Sequence, residues 1–154
     1  MKLGITGSRT IIEFDFSPYF RLIDPLFSAF CMTHGFAAID TVITGGARGV
    51  DRIAANCAET LGLNSVVFRP DKKLCRGNRA AVMFHKRDEQ IVAACDLLLA
   101  VWNGEQSSHG TLYTMDAALE DGKAIWLVIV QDGRIVSSNE QFRIIEFPNR
   151  ARRK

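Results

Sequence analysis

The chain has 154 residues, enough for one domain with a sizeable core, and 47% of them are hydrophobic against 23% charged. A formal net charge of +2 is too small to make nucleic acid or an anionic membrane the main partner, and no apolar run approaches the length of a membrane span. Cys31, Cys57, Cys75 and Cys95 form no Cys-x-x-Cys pair and no secretory signal is visible, so they read as free thiols of a cytoplasmic protein. Cys31, Cys57 and Cys95 sit in apolar segments, which predicts burial. The three histidines lack ligand spacing, so no metal or other cofactor is expected.

Residues 2–6 are mostly apolar and read as a first, buried strand that runs into Gly7-Ser8-Arg9-Thr10. Glycine, a hydroxyl and an arginine at a strand's C-terminal end stand where open α/β sheets bind ligands; a plain turn is the alternative. Asp24-Pro25 has the form of an N-cap with proline at the first helical position. Leu26, Phe27, Phe30 and Cys31 follow at helical spacing, and Gly35 closes the helix. Before it, Phe14, Phe16, Tyr19 and Phe20 crowd a segment that one small domain does not fully bury, which predicts a homodimer.

Residues 40–44 form the second strand and lead into Thr44-Gly45-Gly46-Ala47-Arg48-Gly49-Val50-Asp51. A strand, a glycine-rich turn and a helix N-terminus make a ready anion site, because the backbone approaches closely and the first amides point at the ligand. Arg48 adds a forked cation, and Asp51 suits the first helical turn. A tight turn that binds nothing is the alternative. Val50, Ile53, Ala54, Cys57 and Leu61 mark the buried face of the helix, Gly62 ends it, and residues 65–68 form a third strand. This alternation argues a parallel sheet with right-handed crossovers.

The basic stretch 69–79 reads as a loop. In the helix over residues 80–95, an apolar stripe of Phe84, Ile91 and Cys95 is interrupted by Arg87-Asp88. Either the pair faces inward and needs partners or a ligand, or the helix starts later and the pair lies in its exposed first turn. Residues 97–101 form a fourth, continuously apolar strand. Beyond it, Ser107-Ser108-His109-Gly110-Thr111 opens a helix over residues 111–120, so Ser107, Ser108 and the Gly110 and Thr111 amides form a second phosphate cradle. Trp102 either stacks on a base or lids the core. Residues 124–130 form a fifth strand, and Gln131-Asp132-Gly133-Arg134 has the form of a hairpin turn. A short antiparallel extension, residues 135–136 and then 142–147, follows it. The expected organisation is one α/β domain over residues 1–147 and a basic tail, residues 148–154.

Ile5-Thr6-Gly7-Ser8-Arg9, then Gly45-Gly46-Ala47-Arg48-Gly49-Val50-Asp51, then Gly110-Thr111 after a fourth strand resemble the SLOG superfamily. That superfamily takes in the DNA-processing Smf/DprA proteins and the cytokinin-activating LOG phosphoribohydrolases, and the sequence looks most like its YspA/YpsA-related branch. The resemblance covers roughly residues 2–130. It implies a Rossmann-like parallel sheet with helices on both faces, and a pocket for a nucleotide or a nucleotide-derived molecule related to ADP-ribose or NAD. It assigns Gly7, Ser8 and Arg9 to one ligand loop and Gly45, Gly46, Arg48 and Asp51 to a second. Gly110 and Thr111 go to the phosphate-facing helix start. Gly49, Arg87, Trp102, Ser107 and Ser108 complete the candidate binding set. The branch often has an Arg-Asn pair where this chain has Arg87-Asp88, and an ionised aspartate only accepts. The LOG pattern Pro-Gly-Gly-x-Gly-Thr-x-x-Glu is met without its double glycine and without its glutamate. Relatives commonly pair, which again implies a dimer.

Three functions are compatible with these residues. The first is binding, for sensing or sequestration, of a nucleotide-derived ligand. The second is N-glycosidic cleavage of such a ligand, with Asp51, Asp116 or Glu105 as the carboxylate. The third is DNA binding through the basic tail. No carboxylate pair is evident from spacing, and neither a Walker lysine nor a full Gly-x-Gly-x-x-Gly is present, so binding without turnover is the expectation.

Overall fold

The computed structural model describes residues 1–138. The expected strand over residues 142–147 and the basic tail lie outside the described residues. Six strands, β1 (Lys2–Gly7), β2 (Thr41–Thr44), β3 (Asn64–Val67), β4 (Leu97–Trp102), β5 (Ala124–Gln131) and β6 (Arg134–Ser138), form one sheet in the order β3-β2-β1-β4-β5-β6. Every pairing among β1 to β5 is parallel, and β6 returns antiparallel to β5. The helices are α1 (Ser17–Phe20), α2 (Pro25–Thr33), α3 (Val50–Thr60), α4 (Arg79–Ala94) and α5 (His109–Glu120). This is a Rossmann-like α/β fold, and its strand order reverses between β1 and β4.

β4 shows why the sheet carries a layer on each side. All six of its residues are buried, and they alternate between two cores. Leu97, Leu99 and Val101 join Leu3, Ile5, Val42, Trp126 and Val128 beneath residues of α1, α2 and α3. Leu98, Ala100 and Trp102 join Ile125 and Leu127 beneath Leu112, Met115 and Ala118 of α5. Burying a leucine fully contributes about 1.5–3 kcal/mol over leaving it exposed, so this run of three leucines anchors both layers.

The expected starts and stops hold in physical detail. Asp24 accepts from the Phe27 amide at 2.8 Å and caps α2, with Pro25 in its first turn. Asp132 and Gly133 have φ of 50° and 71°, the two left-handed residues a tight type I′ hairpin requires between β5 and β6. The Phe14–Phe20 segment is different. Phe16, Tyr19 and Phe20 are buried within the single chain, where Tyr19 packs edge-on to Phe27 and Phe27 edge-on to Trp126. The aromatic crowding that predicted a homodimer is thus absorbed by α1 and α2 folding over the sheet. Cys31 and Cys95 are buried, and burial pushes both thiols up to about 11, while Cys57 is half-buried, because only one side of its helical turn reaches the core. Among the described residues no helix is long and apolar enough to cross a membrane.

Candidate ligand-binding cleft

A cavity of about 430 Å³ opens at the C-terminal edge of the sheet, beside the point where the strand order reverses. The loop after β1 lines it with Gly7, Ser8, Arg9 and Thr10, the loop after β2 with Ala47 and Asp51, and the loop after β4 with Asn103, Glu105, Ser107 and Ser108. His109, Gly110 and Thr111 from the start of α5 complete that wall, and Phe84, His85, Arg87 and Asp88 of α4 face them. Of the candidate binding residues, Gly7, Ser8, Arg9, Arg87, Ser107, Ser108, Gly110 and Thr111 therefore come together around one space. Gly45, Gly46, Arg48, Gly49 and Trp102 do not line it.

Hydrogen bonds explain this division. The Gly45 and Ala47 amides both donate to Asp51 Oδ2, at 3.1 and 3.2 Å. A carboxylate of the chain itself thus fills the backbone cradle that the glycines make, so those amides are not offered to an outside anion. Gly45 is also a close-approach point, since a Cβ there would collide with the Arg87 guanidinium. Arg48 is exposed on the outer side of the turn. Trp102 is buried in the core, and its Nε1 donates to the Glu105 carbonyl at 3.0 Å, pinning the loop rather than meeting a ligand.

The second cradle is open. No side chain caps α5, and the first amide bonded into the helix is Leu112 N, to Ser108 O at 3.1 Å. The Gly110 and Thr111 amides precede that bond and belong to the cleft wall, where the positive end of the helix dipole emerges. A Cβ at Gly110 would meet no atom within 4 Å, so the space over the helix start is free. The hydroxyls beside it are committed to the scaffold. Ser108 Oγ donates to Asn103 Oδ1 at 3.0 Å, Asn103 N donates to Ser8 Oγ at 3.0 Å, and the two serine oxygens share a hydrogen bond of 3.1 Å. Ser8 and Ser108 thereby tie the β1 loop to the β4 loop and fix the mouth.

Arg87-Asp88 faces inward from the middle of α4, which settles the choice between the two readings of that helix. Arg87 Nε donates to Asp88 Oδ1 at 2.7 Å, and its Nη1 donates to the Gly45 carbonyl at 2.6 Å. Burial pushes the Asp51 carboxyl up to about 6, against the pull of the Ala47 amide and Arg87. Burial also pushes Asp88 up to about 6, against Arg87 and with Asp51 adding repulsion. Two buried carboxyls, one bonded to Arg87 and the other within reach of its charge, are the pair that spacing along the chain did not reveal. Glu105 also lines the cleft, whereas Asp116, buried in α5, does not. Sequence reasoning also missed Phe84, His85 and Asn103; the Phe84–Arg87–Ile91 rhythm was the available signal for α4.

No family model matches the sequence, and no curated protein matches it. Among solved structures, the X-ray structure of DNA processing protein A (DprA) from Streptococcus pneumoniae superposes with a TM-score of 0.58 at 17% identity. The likeness is one of fold. It covers 86% of this chain and 52% of that one, so the chain spans about half the length of DprA. DprA falls within the superfamily whose motifs the sequence resembles, and the Rossmann-like fold expected from that resemblance is the fold observed.

Proposed function

We propose that the cleft binds a nucleotide or nucleotide-derived molecule of the ADP-ribose and NAD kind, for sensing or sequestration, as a member of the YspA/YpsA-related branch. The observation that carries this reading is the uncapped start of α5 at the strand-order reversal, with Gly110 open above it and Arg9 in the same wall. A phosphate seats there. Arg9 is exposed and stacks its guanidinium carbon 5.7 Å from the Phe84 ring centroid, a position from which it reaches a phosphate without holding the fold. AMP, ADP-ribose and NAD are therefore expected to raise the melting temperature, and Arg9→Ala to weaken binding by about 1.5–3 kcal/mol with little change in the unliganded melt. Calorimetric titration of both proteins checks this. Tighter binding of single-stranded DNA than of any nucleotide would instead favour the DNA reading suggested by DprA's name.

N-glycosidic cleavage is the second reading, because Asp51 and Asp88 give the cleft wall two carboxyls. The LOG pattern puts its glutamate three residues past the threonine, where this chain has Thr114, so binding remains the first reading. NMR detection of free base over multiple turnovers, abolished in Asp51→Asn, reverses that order. A homodimer now rests on the pairing common among the relatives, and the mass in solution at micromolar concentration tests it.

A further inference from the structure

We infer that the floor of the cleft selects a ligand carrying ribose hydroxyls, with Asp88 as the main acceptor, Asp51 as the second, and Arg87 as the positioning group between them. The inference rests on the binding reading above and extends it from the phosphate to the sugar.

Asp88 is only 3% exposed and lies in the cleft wall. Its Oδ1 is taken by Arg87, and its Oδ2 has no hydrogen-bond partner. Thr114 stands beside it, but the single hydroxyl proton of Thr114 goes to the Gly110 carbonyl at 2.8 Å. Asp51, 6% exposed and in the same cleft wall, takes both loop amides on Oδ2. A buried acceptor left without a donor is unfavourable, and a donor arriving with a ligand removes that cost. The floor thus offers one unpartnered carboxylate oxygen, Asp88 Oδ2, with the Asp51 carboxylate from a second helix in the same 430 Å³ cavity as the phosphate seat. Adjacent hydroxyls on a sugar phosphate supply two donors and an anion within one small molecule.

A neutral diol fits this floor better than an ammonium group. Arg87 already supplies the buried cation, and Arg9 shares the Phe84 ring with it, their guanidinium carbons 5.8 and 5.7 Å from the centroid. A further cation would enter a cleft that two guanidinium groups already line.

The test is calorimetric titration of the full chain with two pairs of probes: AMP against 2′,3′-dideoxy-AMP, and ribose 5-phosphate against 2-deoxyribose 5-phosphate. The hydroxylated member of each pair is expected to bind about tenfold more tightly or better, the range for hydrogen bonds to a charged group. In Asp88→Asn, which loses the charged acceptor, that ratio is expected to fall toward one. Equal binding of both members by the wild-type chain overturns the inference and leaves the phosphate seat intact; this comparison needs no variant to fold. A ratio that persists in Asp88→Asn, or tighter binding of phosphoethanolamine than of ribose 5-phosphate, also overturns it. Failure of every probe to bind overturns the binding reading itself, and the inference with it.

Discussion

Arg87→Met is expected to destabilise the fold by about 3–5 kcal/mol at pH 8, although the new side chain keeps most of the apolar volume. The loss comes from what is left behind. Asp88 Oδ1 loses its 2.7 Å partner, the Gly45 carbonyl loses its 2.6 Å donor, and two buried carboxyls face each other without their shared cation. The deficit should depend on pH with a definite sign. Both carboxyls have folded-state values raised to about 6 from 3.8, so their contribution to stability is full below about 3.8 and is lost as pH rises through about 6. Removing the cation raises both further, so the variant approaches the wild type on going from pH 8 to pH 5, where the carboxyls take up protons. Melting curves of both proteins at the two pH values measure this. An equal deficit at pH 5 and pH 8 would show that Arg87 acts through packing alone. The double variant Arg87→Met with Asp88→Asn should recover part of the loss, since the cation and one buried charge leave together.

Gly49→Ala is expected to cost about 2–4 kcal/mol, which lowers the melting temperature by roughly 5–15 °C in a chain of this length. Gly49 precedes α3 with φ 80° and ψ −131°, a conformation open to glycine and strained for any residue with a Cβ. An added Cβ would also lie 2.7 Å from the Arg9 Cα and from the carbonyl oxygens of Ser8 and Arg9, all of them backbone atoms that cannot swing aside. Relief requires moving the β1 loop, so Arg9 shifts and nucleotide binding weakens along with stability. A melt within about 2 °C of the wild type would mean that the two loops are not locked together at Gly49.

The sheet was legible in the sequence because β1, β4 and β5 are apolar runs in their own right, and the shorter β2 and β3 stand between glycine turns and helices. The alternation of β4 between two cores needs nothing but the pleat. The site was legible only where it is local. The Gly110-Thr111 helix start could be read from residue types, since the amides of a helix N-terminus exist wherever a helix begins. The Gly45–Asp51 loop was read as an anion site because the sequence shows the glycines and the aspartate but not that one fills the cradle of the other. Asp51 and Asp88 are 37 positions apart in the sequence, so no spacing rule pairs them. Their meeting depends on α3 and α4 ending up around one sheet edge. The aromatic argument for a dimer lost its force for a related reason: four aromatic residues in a row of seven look excessive until they pack on one another and, through Tyr19, on Phe27 of α2, which in turn meets Trp126 of β5.

The bonds that join Ser8, Asn103 and Ser108 have a kinetic meaning. With the β1 and β4 loops tied together before any ligand arrives, capture requires no closing motion of those loops. Observed association rates should then rise in proportion to ligand concentration, with no plateau from a slow isomerisation, and affinity should be set by how quickly the ligand leaves. Ser108→Ala removes a link in that chain without altering the helix start itself. Its mark would be a curved concentration dependence in stopped-flow traces, as the mouth begins to sample shapes in which ligand does not fit.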